Sequence, residues 1–150
     1  MVSDFKEALP LFLKALEIFD ICYGFDSVEV ARVRQLIGVV YVVLDENDEA
    51  LEQNELARGI LRSLGLETEL LELDIKAANI RISMGRAGEG IENLKNVIQR
   101  VEKESLMRAF VFVAMAKALC SQEKFGEAKR CLKIACGVLV KKDSVSTVFL

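Results

Sequence analysis

Four times along this 150-residue chain a glutamate is followed directly by alanine or glycine, and the four copies are almost evenly spaced. They are Glu7-Ala8, Glu49-Ala50, Glu89-Gly90 and Glu127-Ala128, with the small residues 42, 40 and 38 positions apart. Seven residues beyond each stands another small or β-branched residue: Ala15, Ala57, Val97 and Ala135. Seven residues are two α-helical turns, so the members of each pair share a helix face. Twelve positions upstream of three copies lies a further small residue, Gly38, Ala78 or Ala116. Small side chains in such a register let neighbouring helices approach closely. A fixed period near 40 residues is the mark of stacked repeats, none of which can bury its apolar face alone.

The stretches between these landmarks read as helices. Val30, Val33, Ile37, Val40, Tyr41 and Leu44 follow the i, i+3, i+4, i+7 spacing of one face. Leu71, Ile75, Ala78 and Ile82 do the same, as do Val113, Ala116, Leu119 and Cys120. The pairs Val39-Val40 and Val42-Val43 favour strand slightly, but the surrounding 3.6-residue period outweighs them. The pattern predicts seven helices, near 4–23, 27–44, 47–64, 68–84, 87–103, 105–121 and 124–140. Asp26-Ser27-Val28-Glu29 resembles a capping box opening the second. Gly24, Gly65 and Gly85 would close the first, third and fourth. Pro10 marks either a late start or a bend in the first helix.

The composition, 52% hydrophobic with a mean hydropathy of +0.28, raises the question of a membrane span. The longest apolar run, Leu36 to Leu44, is far short of the 18 or so residues a span needs. The chain turns amphipathic directly after Met1, unlike a secretory signal. A soluble, cytoplasmic protein is expected, with Cys22, Cys120, Cys131 and Cys136 reduced and buried as small hydrophobes. Histidine is absent, which removes the commonest general base and zinc ligand. Gly85-Arg86-Ala87-Gly88-Glu89-Gly90 lacks the preceding strand and the Lys-Ser/Thr of a phosphate loop. Asp45-Glu46-Asn47-Asp48-Glu49 lacks the 12-residue frame of a calcium loop. Cys131 and Cys136, five apart, miss same-face spacing. No catalytic residue, metal site or cofactor is expected. Lys124, Lys129, Arg130, Lys133, Lys141 and Lys142 form a basic cluster with few aromatics, which suits an acidic protein surface better than nucleic acid. Charge is uneven: residues 1–75 hold 6 Lys/Arg and 16 Asp/Glu, a net of −10, and residues 76–150 hold 14 and 7, a net of +7.

Taken together, the period, the small-residue register and Ala8-Leu9-Pro10-Leu11-Phe12-Leu13-Lys14-Ala15-Leu16-Glu17-Ile18 resemble tetratricopeptide repeats (TPR) of the kinesin light chain and nephrocystin type. Tyr23-Gly24-Phe25-Asp26-Ser27-Val28-Glu29-Val30-Ala31 and Ile37-Gly38-Val39-Val40-Tyr41 are similar to its turn and first-helix core, in a style like that of plant kinesin-light-chain-related proteins. The middle repeat departs from the pattern, with Arg81 in place of an aromatic and Gly90 in place of Ala. The resemblance implies an all-α, right-handed α-solenoid of antiparallel helix pairs, about three and a half repeats: a half repeat in 1–24, then 27–64, 68–103 and 105–140, with 141–150 a tail. Ala8, Ala15, Gly38, Tyr41, Ala50, Ala57, Ala78, Gly85, Gly90, Ala116, Ala128 and Ala135 would pack the repeats.

First helices of such a fold line a concave surface that holds a partner protein or peptide. Here that surface would present Arg32, Gln35, Val39, Val42 and Val43, then Glu72, Ile75, Asn79 and Ile82, then Phe110, Val113, Lys117 and Cys120. In kinesin light chains asparagines on the first helices clamp a peptide backbone. At the matching positions Gln35, Leu36, Ile75, Lys76, Val113 and Ala114 that ladder is missing, apart from Gln35 and the displaced Asn79. The resemblance thus implies a non-catalytic adaptor, or alternatively a structural or oligomerising segment of a larger TPR protein whose groove its own chain fills. The chain reads as a fragment, with Leu9, Phe12, Leu13, Leu16 and Phe19 half exposed at one end and self-association through solenoid ends or oppositely charged halves expected.

Overall fold

A computed structural model describes residues 1–148, with side chains to residue 143. Among the described residues the chain forms seven α-helices and no strand. They are α1 (Val2–Tyr23), α2 (Val28–Val43), α3 (Asn47–Ser63), α4 (Glu67–Ser83), α5 (Ala87–Arg100), α6 (Leu106–Ser121) and α7 (Phe125–Val148). All seven expected helices are present. The last runs on to Val148, through most of the stretch read from sequence as a tail, whose residues 149 and 150 lie outside the described residues. Pro10 lies inside α1 and does not mark its start. The chain divides into two compact units, one from Met1 to Leu73 and one from Asp74 onward, so the division falls within α4.

In the first unit Val30 and Ala31 of α2 form a core with Ala57, Ile60 and Leu61 of α3 and with Leu70 and Leu73 of α4. Leu16 and Phe19 of α1 pack against it from one side and remain partly buried. Asn54 is buried among these apolar groups, and its Nδ2 donates to the Leu73 carbonyl at 3.1 Å. In the second unit the buried residues come from α4 (Ala78, Ile82), α5 (Ile91, Leu94, Val97), α6 (Val111, Phe112, Ala116, Leu119) and α7 (Ala128, Cys131, Ala135, Val138).

Two kinds of local device recur with the repeat. The first is the N-cap. Ser27 opens α2 and its Oγ accepts from the Val30 N–H at 3.2 Å, and Ser105 opens α6 and accepts from the Arg108 N–H at the same distance. The cap of α2 is thus Ser27 itself, and Glu29 lies one residue too early to complete a capping box. The second is the turn from a first helix to a second. Asp45, Gly85 and Glu123 all have positive φ, at 62°, 79° and 60°. Each stands five residues before the small residue of its repeat, Ala50, Gly90 or Ala128. The residue after each donates its N–H five residues back: Glu46 to Tyr41 at 2.9 Å, Arg86 to Arg81 at 2.8 Å and Lys124 to Leu119 at 2.9 Å. This is the Schellman closure, which needs one left-handed residue. Gly85 supplies it without strain, whereas Asp45 and Glu123 carry a Cβ against the following carbonyl. Gly85 is therefore exposed at the turn, where a Cβ would meet nothing within 4 Å. Its expected place among the packing residues is corrected: it shapes the backbone and packs against nothing.

The remaining residues expected to pack the repeats divide by burial. Ala50, Ala57, Ala78, Gly90, Ala116, Ala128 and Ala135 are buried, while Ala8, Ala15, Gly38 and Tyr41 are half-buried. At Gly90 the reason for smallness is measurable. A Cβ there would lie 2.6 Å from Ile82 Cγ1 and 3.0 Å from the Ala78 carbonyl oxygen. Ile82 is β-branched and nearly fixed at χ1 in a helix, and the Ala78 oxygen is backbone, so neither yields cheaply. At Gly38 the corresponding neighbours, the Ala50 oxygen and Gln53 Cβ, stand 3.6 and 3.7 Å away, ordinary contact distances.

Opposite outcomes follow for the same substitution. Gly90→Ala is expected to destabilise by about 1–3 kcal/mol through overpacking, and Gly38→Ala to stabilise by about 0.5–1 kcal/mol through helix propensity. Thermal or urea unfolding followed by circular dichroism distinguishes them. By the turn geometry, Glu123→Gly raises the unfolding free energy by roughly 1 kcal/mol, and a drop on that substitution would show that the left-handed turn is unstrained.

Candidate protein-interaction face

A surface helix in water buries one apolar stripe and shows charge on the rest. The second helices α3 and α5 obey this. α3 exposes Asp48, Glu49, Glu52, Glu55 and Arg62, with Leu56 as its one exposed large apolar residue, and α5 exposes Glu89, Glu92, Lys95, Asn96 and Arg100. The first helices do not. α2 buries Val30, Ala31, Val33, Ile37 and Val40 on one side, and on the other it exposes Arg32, Leu36, Val39, Val42 and Val43. Arg32, Leu36, Val39 and Val43 follow one another at four, three and four residues, a single stripe along the helix.

The case of α6 is sharper. Seven of its residues, Ala109, Val111, Phe112, Ala114, Ala116, Ala118 and Leu119, are buried and reach around most of its circumference. What stays exposed is one narrow strip, Leu106, Phe110, Val113, Lys117 and Cys120, with Ser121 beside its C-terminal end. Phe110 is 63% exposed, two residues from Phe112 at 8%, whose ring carries the Arg108 guanidinium at 5.2 Å. Smallness again has a cause, since a helix enclosed on nearly all sides accommodates its neighbours with alanines.

Each residue assigned to the interaction face can now be placed. In the first unit Arg32, Val39, Val42, Val43 and Glu72 are exposed and Gln35 is half-buried. In the second unit Phe110, Val113, Lys117 and Cys120 are exposed, and Ile75 and Asn79 are half-buried. Ile82 is the exception. It is only 6% exposed and fills the space left by the missing Cβ of Gly90, so it belongs to the packing and is corrected out of the face. Leu36 and Leu106 are members of the two strips that were not expected from sequence. Their signal was present in the i, i+4 spacing to Arg32 and the i, i+3 spacing to Val39 in one case, and in the i, i+4 spacing to Phe110 in the other.

The electrostatics of these strips are sparse. Arg34, beside the α2 strip, is turned to the second helix, where its guanidinium donates to Gln53 Oε1 at 3.1 Å. Arg81, standing where the other repeats have Tyr41 and Leu119, is half-buried and lies 3.9 Å from Glu89. Glu89 accepts two hydrogen bonds from Arg86, at 2.8 and 2.6 Å, and these with the two guanidinium charges hold its carboxyl below the usual range. Burial, then the carboxylates of Glu46, Glu49 and Glu52, push the Tyr41 phenol up. Burial also raises the Cys131 thiol, which lowers its thiolate fraction and its reactivity. Cys131 alone is buried; Cys22, Cys120 and Cys136 are exposed, contrary to the expectation for all four. No group of three or more His, Cys, Asp or Glu suited to a metal ion occurs among the described residues, and no helix there is long and apolar enough to cross a membrane.

No family model matches the sequence, and no curated protein matches it. Solved structures do. A Podosopora anserina protein assigned as a kinesin light chain with nearly identical TPR-like repeats superposes with a TM-score of 0.76 at 17% identity, covering 93% of this chain and 69% of that one. A point-substituted variant of that protein gives a TM-score of 0.79 at 17% identity, over 95% and 70% of the two chains. BtubC (BKLC) from P. vanneervenii gives 0.81 at 13% identity, over 94% of this chain and 59% of that one. The fold is that of kinesin-light-chain TPR-like repeats. At this identity the likeness concerns the backbone and the helix register. The TPR-like assignment makes α2, α4 and α6 first helices and α1, α3, α5 and α7 second helices. It agrees with the positions of the two serine caps, which open α2 and α6.

The burial contrast on α6 gives a direct check. Phe112→Ala is expected to cost about 3–5 kcal/mol of stability as a core truncation, and Phe110→Ala to remain within about 0.5 kcal/mol of the parent. Equal losses in urea unfolding would mean that Phe110 is packed rather than presented.

Proposed function

We propose that this TPR-like chain is a non-catalytic protein-interaction scaffold that holds partner protein segments, each on the exposed strip of a first helix. The observation that carries the proposal is the reversal of polarity between helix types. The second helices α3 and α5 meet solvent mainly with carboxylates, lysines and arginines, whereas α2 and α6 meet it with Leu36, Val39, Val42, Val43, Leu106, Phe110 and Val113. Apolar side chains lined up on one face, with charge at the margin, mark sites where another chain is bound. Aromatic anchors such as Phe110 are the residues on which binding energy concentrates. Arg32 on one strip and Lys117 on the other add cations next to the apolar residues, so an amphipathic segment with acidic margins suits them best. Asparagine clamping of an extended backbone, as in kinesin light chains, has little support, because the matching first-helix positions hold Leu36, Ile75, Lys76, Val113 and Ala114.

The proposal is tested by selecting peptides from a displayed library on the 150-residue chain and titrating one of them against variants. Val39→Asp, for a peptide held on α2, or Phe110→Asp, for one held on α6, is expected to weaken binding at least about tenfold, the effect of one lost apolar anchor. Glu52→Lys on the outer face of α3 is expected to leave it within about twofold. Binding that tracks Glu52→Lys and ignores both aspartates would place the interaction on the second helices and refute the reading.

A further inference from the structure

The first and last helices depart from the rule that second helices face solvent with charge. α1 has no buried residue at all. Its partly buried side, Leu16 and Phe19, packs on the core of the first unit, but a second apolar stripe points away from that core. Leu11 is 71% exposed, Ile18 51% and Ile21 85%. Leu11 and Ile18 are seven residues apart and Ile21 three further, so the stripe runs about three turns along one face. From sequence Leu9, Phe12, Leu13, Leu16 and Phe19 were expected to be half exposed; Leu9, Phe12, Leu16 and Phe19 are half-buried, the last two against the core, and Leu13 is exposed.

α7 repeats the arrangement with the opposite charge. Ala128, Cys131, Ala135 and Val138 are buried on one side, and beside them Phe125, Leu132 and Leu139 form an exposed stripe at seven-residue intervals. Lys129 and Lys133 flank this stripe and are exposed. Lys14 lies within the α1 stripe between Leu11 and Ile18, and Lys6 stands on the same side of the helix as Glu17, but over the whole helix the carboxylates Asp4, Glu7, Glu17 and Asp20 outnumber these two lysines. The same polarity extends to the surroundings, since residues 1–75 carry a net −10 and residues 76–150 a net +7. Each stripe offers apolar area of matched periodicity, and the margins attract: carboxylates on α1 meet ammonium groups on α7.

We infer that the α1 stripe docks on the α7 stripe of a second copy of this chain. The contact is heterologous, so a dimer formed through it keeps one α1 and one α7 unpaired and adds further copies. This assembly is independent of the partner strips on α2 and α6, and neither reading depends on the other.

Sedimentation velocity of the 150-residue chain over a range of concentrations is expected to show stepwise self-association that weakens between about 50 mM and 500 mM salt, as exposed charge pairs are screened. Ile18→Asp and Leu132→Asp replace exposed side chains, so circular dichroism should be unchanged in both, and each is expected to weaken association at least about tenfold. Mixing the two variants is the decisive arm. Each retains the face that the other lacks, so together they form a 1:1 dimer that grows no further. A monomer at every concentration at low salt overturns the inference. So does association abolished by Ile18→Asp but untouched by Leu132→Asp, which would indicate a symmetric α1–α1 contact.

Discussion

The contact between the second-helix small residue and the preceding first helix sets the geometry of each repeat. At Gly90 the two helices come so near that the Ala78 carbonyl and the Ile82 side chain occupy the volume of a Cβ. At Gly38 the approach is seen from the other helix, with the Ala50 carbonyl 3.6 Å from where a Cβ would stand. Helices that approach this closely place their backbones in contact, and side chains along the seam must then be alanine, glycine or a residue that interlocks. The middle repeat shows the compensation. Glycine replaces alanine at 90, and the Ile82 side chain fills the space released.

Turn and cap geometry follow from that seam. A second helix can lie against its first only if the chain reverses at a fixed distance before the small residue. The left-handed residue stands five positions ahead of it in all three repeats, whether it is Asp45, Gly85 or Glu123. A backbone hydrogen bond spanning five residues closes each turn, so the geometry is held even where the residue at its apex is poorly suited to it. The serine caps at Ser27 and Ser105 fix the starts of α2 and α6 in the same register. Local devices and helix packing thus agree on one arrangement in each repeat, which is the condition for a sequence to specify a structure.

That arrangement leaves apolar residues where a solvated helix would have charge. With α6 enclosed on nearly all sides, its remaining strip is narrow, and it carries Leu106, Phe110 and Val113 rather than glutamate and lysine. α2 is less enclosed, and its exposed valines, Val39, Val42 and Val43, stand further along the helix, at positions equivalent to Lys117, Cys120 and Ser121. The seam fixes which residues are left outside, and the proposed scaffold function rests on their chemistry. The exposed apolar stripes on α1 and α7 set these two second helices apart from α3 and α5, whose outer faces are mainly charged.

Much of this was legible in the sequence. The four Glu-small pairs and their companions seven residues on indicated the helix pairing, and the 3.6-residue period indicated all seven helices, because both depend only on spacing along one chain. The exposed valines of α2 and Val113 of α6 were also legible, since strict repetition transfers a position from one repeat to the next. Tertiary structure decided what repetition could not carry. Ile82 occupies the register of Val42 and Cys120, which are exposed, yet it is buried, because the missing Cβ at Gly90 opened a space on another helix that it fills. Cys22, Cys120 and Cys136 lie outside the core because hydrophobicity does not tell which side of a helix its neighbours cover. On α1 the sequence showed apolar residues on both faces, and only packing against the core of the first unit determined that Leu16 and Phe19 turn inward while Leu11, Ile18 and Ile21 remain in water. Spacing along the chain determines what a helix is. Which of its faces is buried depends on residues distant in sequence, and that is settled only when the helices meet.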